Sequence, residues 1–193
     1  MQDTEKRPDR RVERTREVLL DALFDLMSER GYERLTIQNL LDRTGVGRAT
    51  FYAHFDSKEE LLACSMTRLR TWLVQAWKEA PDQRLGFTLP FFQHLTSGRR
   101  IYQMTTMRES EMTVERHIRR MLLELVREDF AARRITGQSD ASVELATQYV
   151  VAALWSTIAW WMNSATPLSP EKINAVFQRM VFPGLDVTLA EVL

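Results

Sequence analysis

Cysteine is nearly absent. Cys64 stands alone in 193 residues, so no internal disulfide can form, and a reducing compartment, the cytoplasm, is expected. With no second thiol to resolve it, Cys64 reads as a small buried helix residue rather than a redox sensor. Histidine is almost as scarce: His54, His94 and His117 lie on separate segments, with no H-E-x-x-H, no C-x-x-C and no glycine-rich phosphate loop. Glu109 and Glu111, near His117 in sequence, read as solvated carboxylates. No catalytic residue, metal or cofactor is therefore expected. An excess of one charge is missing too, since 26 Lys and Arg balance 26 Asp and Glu. No stretch alternates polar and apolar residues with period two, so strands are not expected. The opening MQDTEKRPDRR is charged, unlike an apolar secretion signal. The one long uncharged run, residues 145–165, has the length of a membrane span. Gln148, Ser156, Thr157 and Asn163 lower its hydropathy, however, and no basic cluster flanks it, so a buried helix of a soluble protein is the better reading.

What the chain does contain is concentrated in residues 36–62, TIQNLLDRTGVGRATFYAHFDSKEELL. Ile37, Leu40 and Leu41 fall at i, i+3 and i+4, one buried face of a short helix that Thr36 can cap with its hydroxyl. Gly45 and Gly47 bracket Val46 and supply the permissive backbone of a sharp turn. A second helix, about residues 48–54, buries Phe51 and turns Arg48, Thr50, Tyr52 and His54 outward. Ser57 and Glu60 then form a capping box at the start of a long helix. Two short helices around a tight turn form a helix-turn-helix, the architecture that seats a recognition helix in the major groove of DNA.

Gly45-Val46 followed by Thr50-Phe51-Tyr52-Ala53-His54-Phe55-Asp56-Ser57-Lys58-Glu59-Glu60-Leu61 closely resembles the DNA-binding domain of tetracycline-repressor (TetR) family regulators. Arg16, Ala22 and the Gly31-Tyr32-Glu33 corner fit the same pattern, so the resemblance covers about residues 10–63. Gly47 stands where the family usually has Ser, and Ala49 where Gly is common. The resemblance implies a double-stranded operator as partner and Thr36, Gly47, Arg48, Ala49, Thr50, Tyr52, His54 and Lys58 as the DNA-facing set. Charge restricts how that can work: residues 1–58 carry as many acids as bases, so a cationic footprint can arise only by polarisation. Residues 43–55 permit it, carrying Arg43 and Arg48 but no acid.

The remaining sequence reads as helix. Leu19, Ala22, Leu23 and Leu26 form a stripe ended by Gly31. After Ser57 a helix is expected to about residue 79, with Leu61, Leu62, Leu69, Trp72, Leu73 and Ala76 inward. Residues 81–98 read as a helix interrupted or kinked at Pro90, residues 100–108 as a short helix, and residues 113–134 as an amphipathic one. Residues 145–165 are apolar all round, which calls for cover from more than one side. A last helix starts at Ser169 and Pro170, carries Ile173, Val176, Phe177, Met180 and Val181 on one face, and is expected to end at Pro183-Gly184.

The fold expected is therefore all-α. It comprises a flexible tail (1–12), a three-helix helix-turn-helix domain (13–60) and a larger helical domain for ligand sensing and dimerisation (61–193). Two apolar helices per subunit suit a four-helix interface across a twofold axis, with Tyr149, Ala152, Trp155, Ser156, Trp160, Ile173, Val176, Phe177 and Met180 as its candidates. The family resemblance implies a ligand pocket enclosed by the middle helices. Its candidate lining is Trp72, Phe91, Phe92, His94, Tyr102 and Met104, together with Met107, Arg108, Leu122, Trp155 and Ile158. Aromatic and methionine side chains suit an apolar or aromatic effector. The expected function is a homodimeric transcriptional repressor that binds a palindromic operator and is released by a small molecule. It is not an enzyme and has no membrane partner. The alternative is a helical protein-interaction adaptor, or a partner-dependent co-regulator with no small-molecule ligand.

Overall fold

The computed structural model describes residues 10–79, 83–99, 112–133, 140–165 and 168–191. Among them are eight helices and no strand, in two compact units, residues 1–67 and 68–193. Each unit has its own core.

The first unit holds α1 (Arg10–Arg30), α2 (Ile37–Thr44), α3 (Arg48–Tyr52) and the opening of α4 (Lys58–Lys78). The α1 stripe of Leu19, Ala22, Leu23 and Leu26 is buried as expected, and Leu40, Phe51, Phe55 and Leu61 are buried in the same unit. Each large apolar side chain withdrawn from water stabilises the unit by roughly 1.5–3 kcal/mol. Gly31 ends α1 in the left-handed region, φ 79°, and its N–H donates to the Met27 carbonyl. Burial of Tyr32 and Leu35 then anchors the connection to α2.

The second unit contains the rest of α4 with α5 (Thr88–Ser97), α6 (Met112–Ala132), α7 (Asp140–Asn163) and α8 (Pro170–Glu191). Phe91, Phe92, Leu122, Leu125, Leu154, Ile158, Trp161 and Phe177 fill its centre, and Phe92 meets the edges of the Trp161 and Phe177 rings. Asp129 is fully buried. Its carboxylate accepts the Leu85 N–H and the Arg133 Nε–H, both at 3.1 Å, and so ties α6 to the segment that leads into α5. Leu85 itself has φ 49°, a left-handed conformation that a branched side chain rarely adopts. Thr88 and Asn174 share a buried hydrogen bond of 2.7 Å between α5 and α8. Arg99 donates to the carbonyls of Trp161, Met162 and Ser164, closing the C-terminal end of α7.

Several expectations are corrected. Pro183 does not end α8, which runs on to Glu191: Val181 and Leu185 are both buried, and a helix held to the core on either side tolerates one missing hydrogen bond. Pro90 causes no interruption because α5 begins only at Thr88, which puts Pro90 in a first turn whose N–H groups have no helical acceptor. Trp72 is 46% exposed rather than inward. On α7 the unit covers one side, and Leu145, Tyr149, Ala152, Ser156 and Trp160 form an outward stripe. The expected helix at residues 100–108 lies outside the described residues. No helix among the described residues is long and apolar enough to cross a membrane.

Candidate nucleic-acid interface

Local hydrogen bonds set the helix-turn-helix. Thr36 Oγ1 accepts the Asn39 N–H at 3.2 Å, and Asn39 Oδ1 accepts the Thr36 N–H at 3.1 Å, a reciprocal cap on α2. Gly45 closes α2 at φ 69°, its N–H donating to the Leu41 carbonyl at 2.9 Å. Thr44 Oγ1 donates to the Leu40 carbonyl and accepts the Val46 N–H, bracing the turn. Gly47 precedes α3 in an extended conformation with no side-chain cap. Phe51 is fully buried, stacked edge-on to Tyr52 and against Phe55. This anchor leaves Arg48, Ala49, Thr50 and Tyr52 exposed together on α3.

The start of α4 is tied down by Lys58. Its ammonium donates to the carbonyls of Tyr32 (3.0 Å) and Leu35 (2.9 Å) and sits 4.2 Å from the centre of the Tyr32 ring. Two of its three donors are thus engaged inside the unit. Ser57 Oγ caps the Glu60 N–H as expected, but the returning Glu60 carboxylate takes the Asp56 N–H instead of that of Ser57. Burial, with the nearby charges of Glu59 and Glu33, pushes the Tyr32 phenol far above its ordinary value.

Arg16 on α1 is the organiser the sequence pattern conceals. One guanidinium nitrogen donates to the His54 carbonyl at 3.3 Å, another to Cys64 Sγ at 3.2 Å, and the group lies 4.6 Å from the centre of the Phe55 ring. It joins α1, the end of the recognition segment and α4. Arg43 is neutralised by Glu29, whose two carboxylate oxygens accept from it at 2.7 and 2.8 Å. Arg48 donates to Gln38 Oε1 at 2.7 Å, and Gln38 Nε2 donates to Asp42 Oδ1 at 2.7 Å. Neither Gln38 nor Asp42 was singled out in the sequence, although their i,i+4 spacing on the polar face of α2 was readable there.

In the second unit Phe91, Phe92, Leu122 and Ile158 lie in the closed core, and Trp155 is half-buried against it. Trp72 and His94 meet at 5.9 Å between ring centres; burial, reinforced by Arg68, holds the His94 imidazole below its ordinary pKa. Tyr102, Met104, Met107 and Arg108 lie outside the described residues, as do Glu109 and Glu111. His117 Nδ1 is 3.1 Å from the Arg120 guanidinium. Ile173 and Phe177 are buried in the unit's own core, whereas Tyr149, Ala152, Ser156, Trp160, Val176 and Met180 are exposed.

Comparison with known proteins agrees with this geometry. Residues 19–63 match the family "Bacterial regulatory proteins, tetR family", and residues 82–183 match "Transcriptional regulator C-terminal region". The HTH-type transcriptional repressor KstR2 of Mycolicibacterium smegmatis is 23% identical over 187 residues, spanning 88% of this chain and 90% of that protein. The HTH-type transcriptional regulator YxbF of Bacillus subtilis is 43% identical over 67 residues, 34% of this chain and 18% of that protein. A TetR transcriptional regulator from Streptococcus agalactiae superposes with a TM-score of 0.67 at 21% identity, covering 90% of this chain and 96% of that one. NalD of Pseudomonas aeruginosa, the secondary repressor of the MexAB-OprM multidrug efflux pump, superposes at 0.62 and 19% identity over 89% and 97%. An N-terminal helix-turn-helix, a second all-helical unit and matches across both halves converge on one assignment: the chain belongs to the TetR family of DNA-binding transcriptional regulators.

Proposed function

We propose that this chain is a homodimeric cytoplasmic repressor that binds a palindromic operator through α2 and α3 and is released by a small apolar or aromatic effector. The observation that carries the dimer is the outward apolar stripe of α7 and α8, where Leu145 is 66%, Trp160 60% and Met180 70% exposed. A monomer rarely leaves so many large apolar groups together in water, and helices in contact with each other can cover them by packing on a second copy. The repressor reading is supported by the KstR2 and NalD likenesses, whose names describe repressors.

On DNA, Arg48 reads a base edge, most naturally guanine through a bidentate contact, while Thr36, Thr50, Tyr52 and His54 hold phosphates around it, joined by Lys58 through the one donor not given to the Tyr32 and Leu35 carbonyls. Gly47 and Ala49 present little bulk and let the backbone approach. The effector lies in the second unit near Trp72, His94 and Trp155, and it acts only through a difference in affinity between operator-competent and incompetent states. Footprinting on DNA flanking the protein's own coding region, with sedimentation in parallel, tests the proposal. Protection of two symmetric half-sites by a dimer supports it; a folded monomer at micromolar concentration, or no protected site, refutes it.

A further inference from the structure

We infer that Gln38 and Asp42 form a positioning relay that aims Arg48, so that the sequence preference of the recognition helix is set partly from α2. This rests on the reading of Arg48 as a base reader. Arg48 is the first residue of the five-residue α3 and is exposed there, and its head group is hydrogen-bonded to a side chain of α2. The orientation comes from across the turn. Arg48 donates to Gln38 Oε1, and Gln38 Nε2 donates to Asp42 Oδ1, both at 2.7 Å.

The chemistry of the three groups permits only this order. A guanidinium can only donate and a carboxylate can only accept, so the primary amide between them must present oxygen to Arg48 and nitrogen to Asp42. Without Asp42 the amide can turn its NH2 toward Arg48, which repels it. Asp42 thus decides which end of Gln38 faces the arginine. The neighbouring Arg43 guanidinium is bound to Glu29 rather than to Asp42. Gln38, Asp42 and Arg48 are all exposed, so the relay can be altered without disturbing the core.

The test is selection of full-length protein on a random-sequence duplex library, followed by binding to duplexes varied at single positions of the recovered site. Arg48→Ala is expected to flatten the preference at one base pair of each half-site by roughly 5- to 150-fold. Gln38→Ala and Asp42→Ala are expected to flatten the same base pair by roughly 2- to 12-fold, the range for one lost hydrogen bond. Asp42→Asn, which keeps an acceptor oxygen, is expected to retain most of the preference. In Gln38→Glu the carboxylate accepts from Arg48 unaided, so adding Asp42→Ala is expected to change nothing further at that base pair. The relay is overturned if Gln38→Ala and Asp42→Ala leave that preference intact, or flatten a different base pair, which would make Gln38 a base reader itself. If Arg48→Ala weakens every sequence equally, or the wild-type chain recovers no site, the base-reading role of Arg48 fails first and the relay falls with it.

Discussion

Replacing Trp160 by alanine is expected to split the dimer while leaving each subunit folded. A tryptophan carries up to about 250 Å² of surface. At 60% exposure, about 150 Å² of Trp160 remains open on a single chain. If the partner covers that area, roughly 25 cal/mol per Å² gives about 3–4 kcal/mol per copy. A twofold interface contains the residue twice, so the loss is about 6–8 kcal/mol, less what the alanine methyl retains. At about 1.4 kcal/mol per tenfold change, the dimer dissociation constant rises by roughly four orders of magnitude. The outward side chain contributes little to its own subunit, so the thermal midpoint of the dissociated variant reports the fold separately. Sedimentation velocity across a dilution series measures the change. A dissociation constant within tenfold of wild type would refute the burial of Trp160 between subunits.

Other substitutions probe the same chain. Lys58→Ala removes two charge-assisted hydrogen bonds to the Tyr32 and Leu35 carbonyls, so the first unit is expected to lose about 1.5–3 kcal/mol in urea titration; an unchanged midpoint would mean that these bonds contribute nothing net. Gly45→Ala forces a Cβ into the left-handed region with nothing within 4 Å to clash, so backbone strain alone is expected to cost about 1–2 kcal/mol by thermal melting. Asp129→Ala strands the buried Leu85 N–H and is expected to destabilise by about 1–3 kcal/mol, whereas Asp129→Asn keeps an acceptor oxygen and costs less. Burial raises the Asp129 pKa against the opposing pull of Arg133, so the native state binds this proton more readily than the unfolded chain. Its contribution is then complete below the ordinary value of 3.8 and declines as pH rises through the higher folded value. Relative to wild type, Asp129→Asn is expected to gain stability as pH rises from 3.8 to the folded value and to hold that gain above it in denaturant titrations, and a difference that stays flat across that rise would refute the raised folded pKa.

Elements made from near neighbours were legible before any tertiary contact was known. The Thr36 cap, the Gly31 helix end, the Gly45 turn and the Ser57 and Ser169 starts all rest on interactions within about one helical turn, where residue spacing determines geometry. The motif from Gly45 to Leu61 carried the family assignment for the same reason. Tertiary structure decided whatever depends on residues distant in sequence. Lys58 reaches carbonyls 23 and 26 residues upstream, Arg16 reaches 38 and 48 residues downstream, and Arg48 is held from a neighbouring helix. Helical periodicity sorts residues into faces but does not say which apolar face its own subunit covers. Packing in the second unit made that choice, drawing Ile173 and Phe177 inward and leaving Trp72, Val176 and Met180 in water. It also carried α8 through Pro183, because burial of Val181 and Leu185 outweighs one lost backbone hydrogen bond.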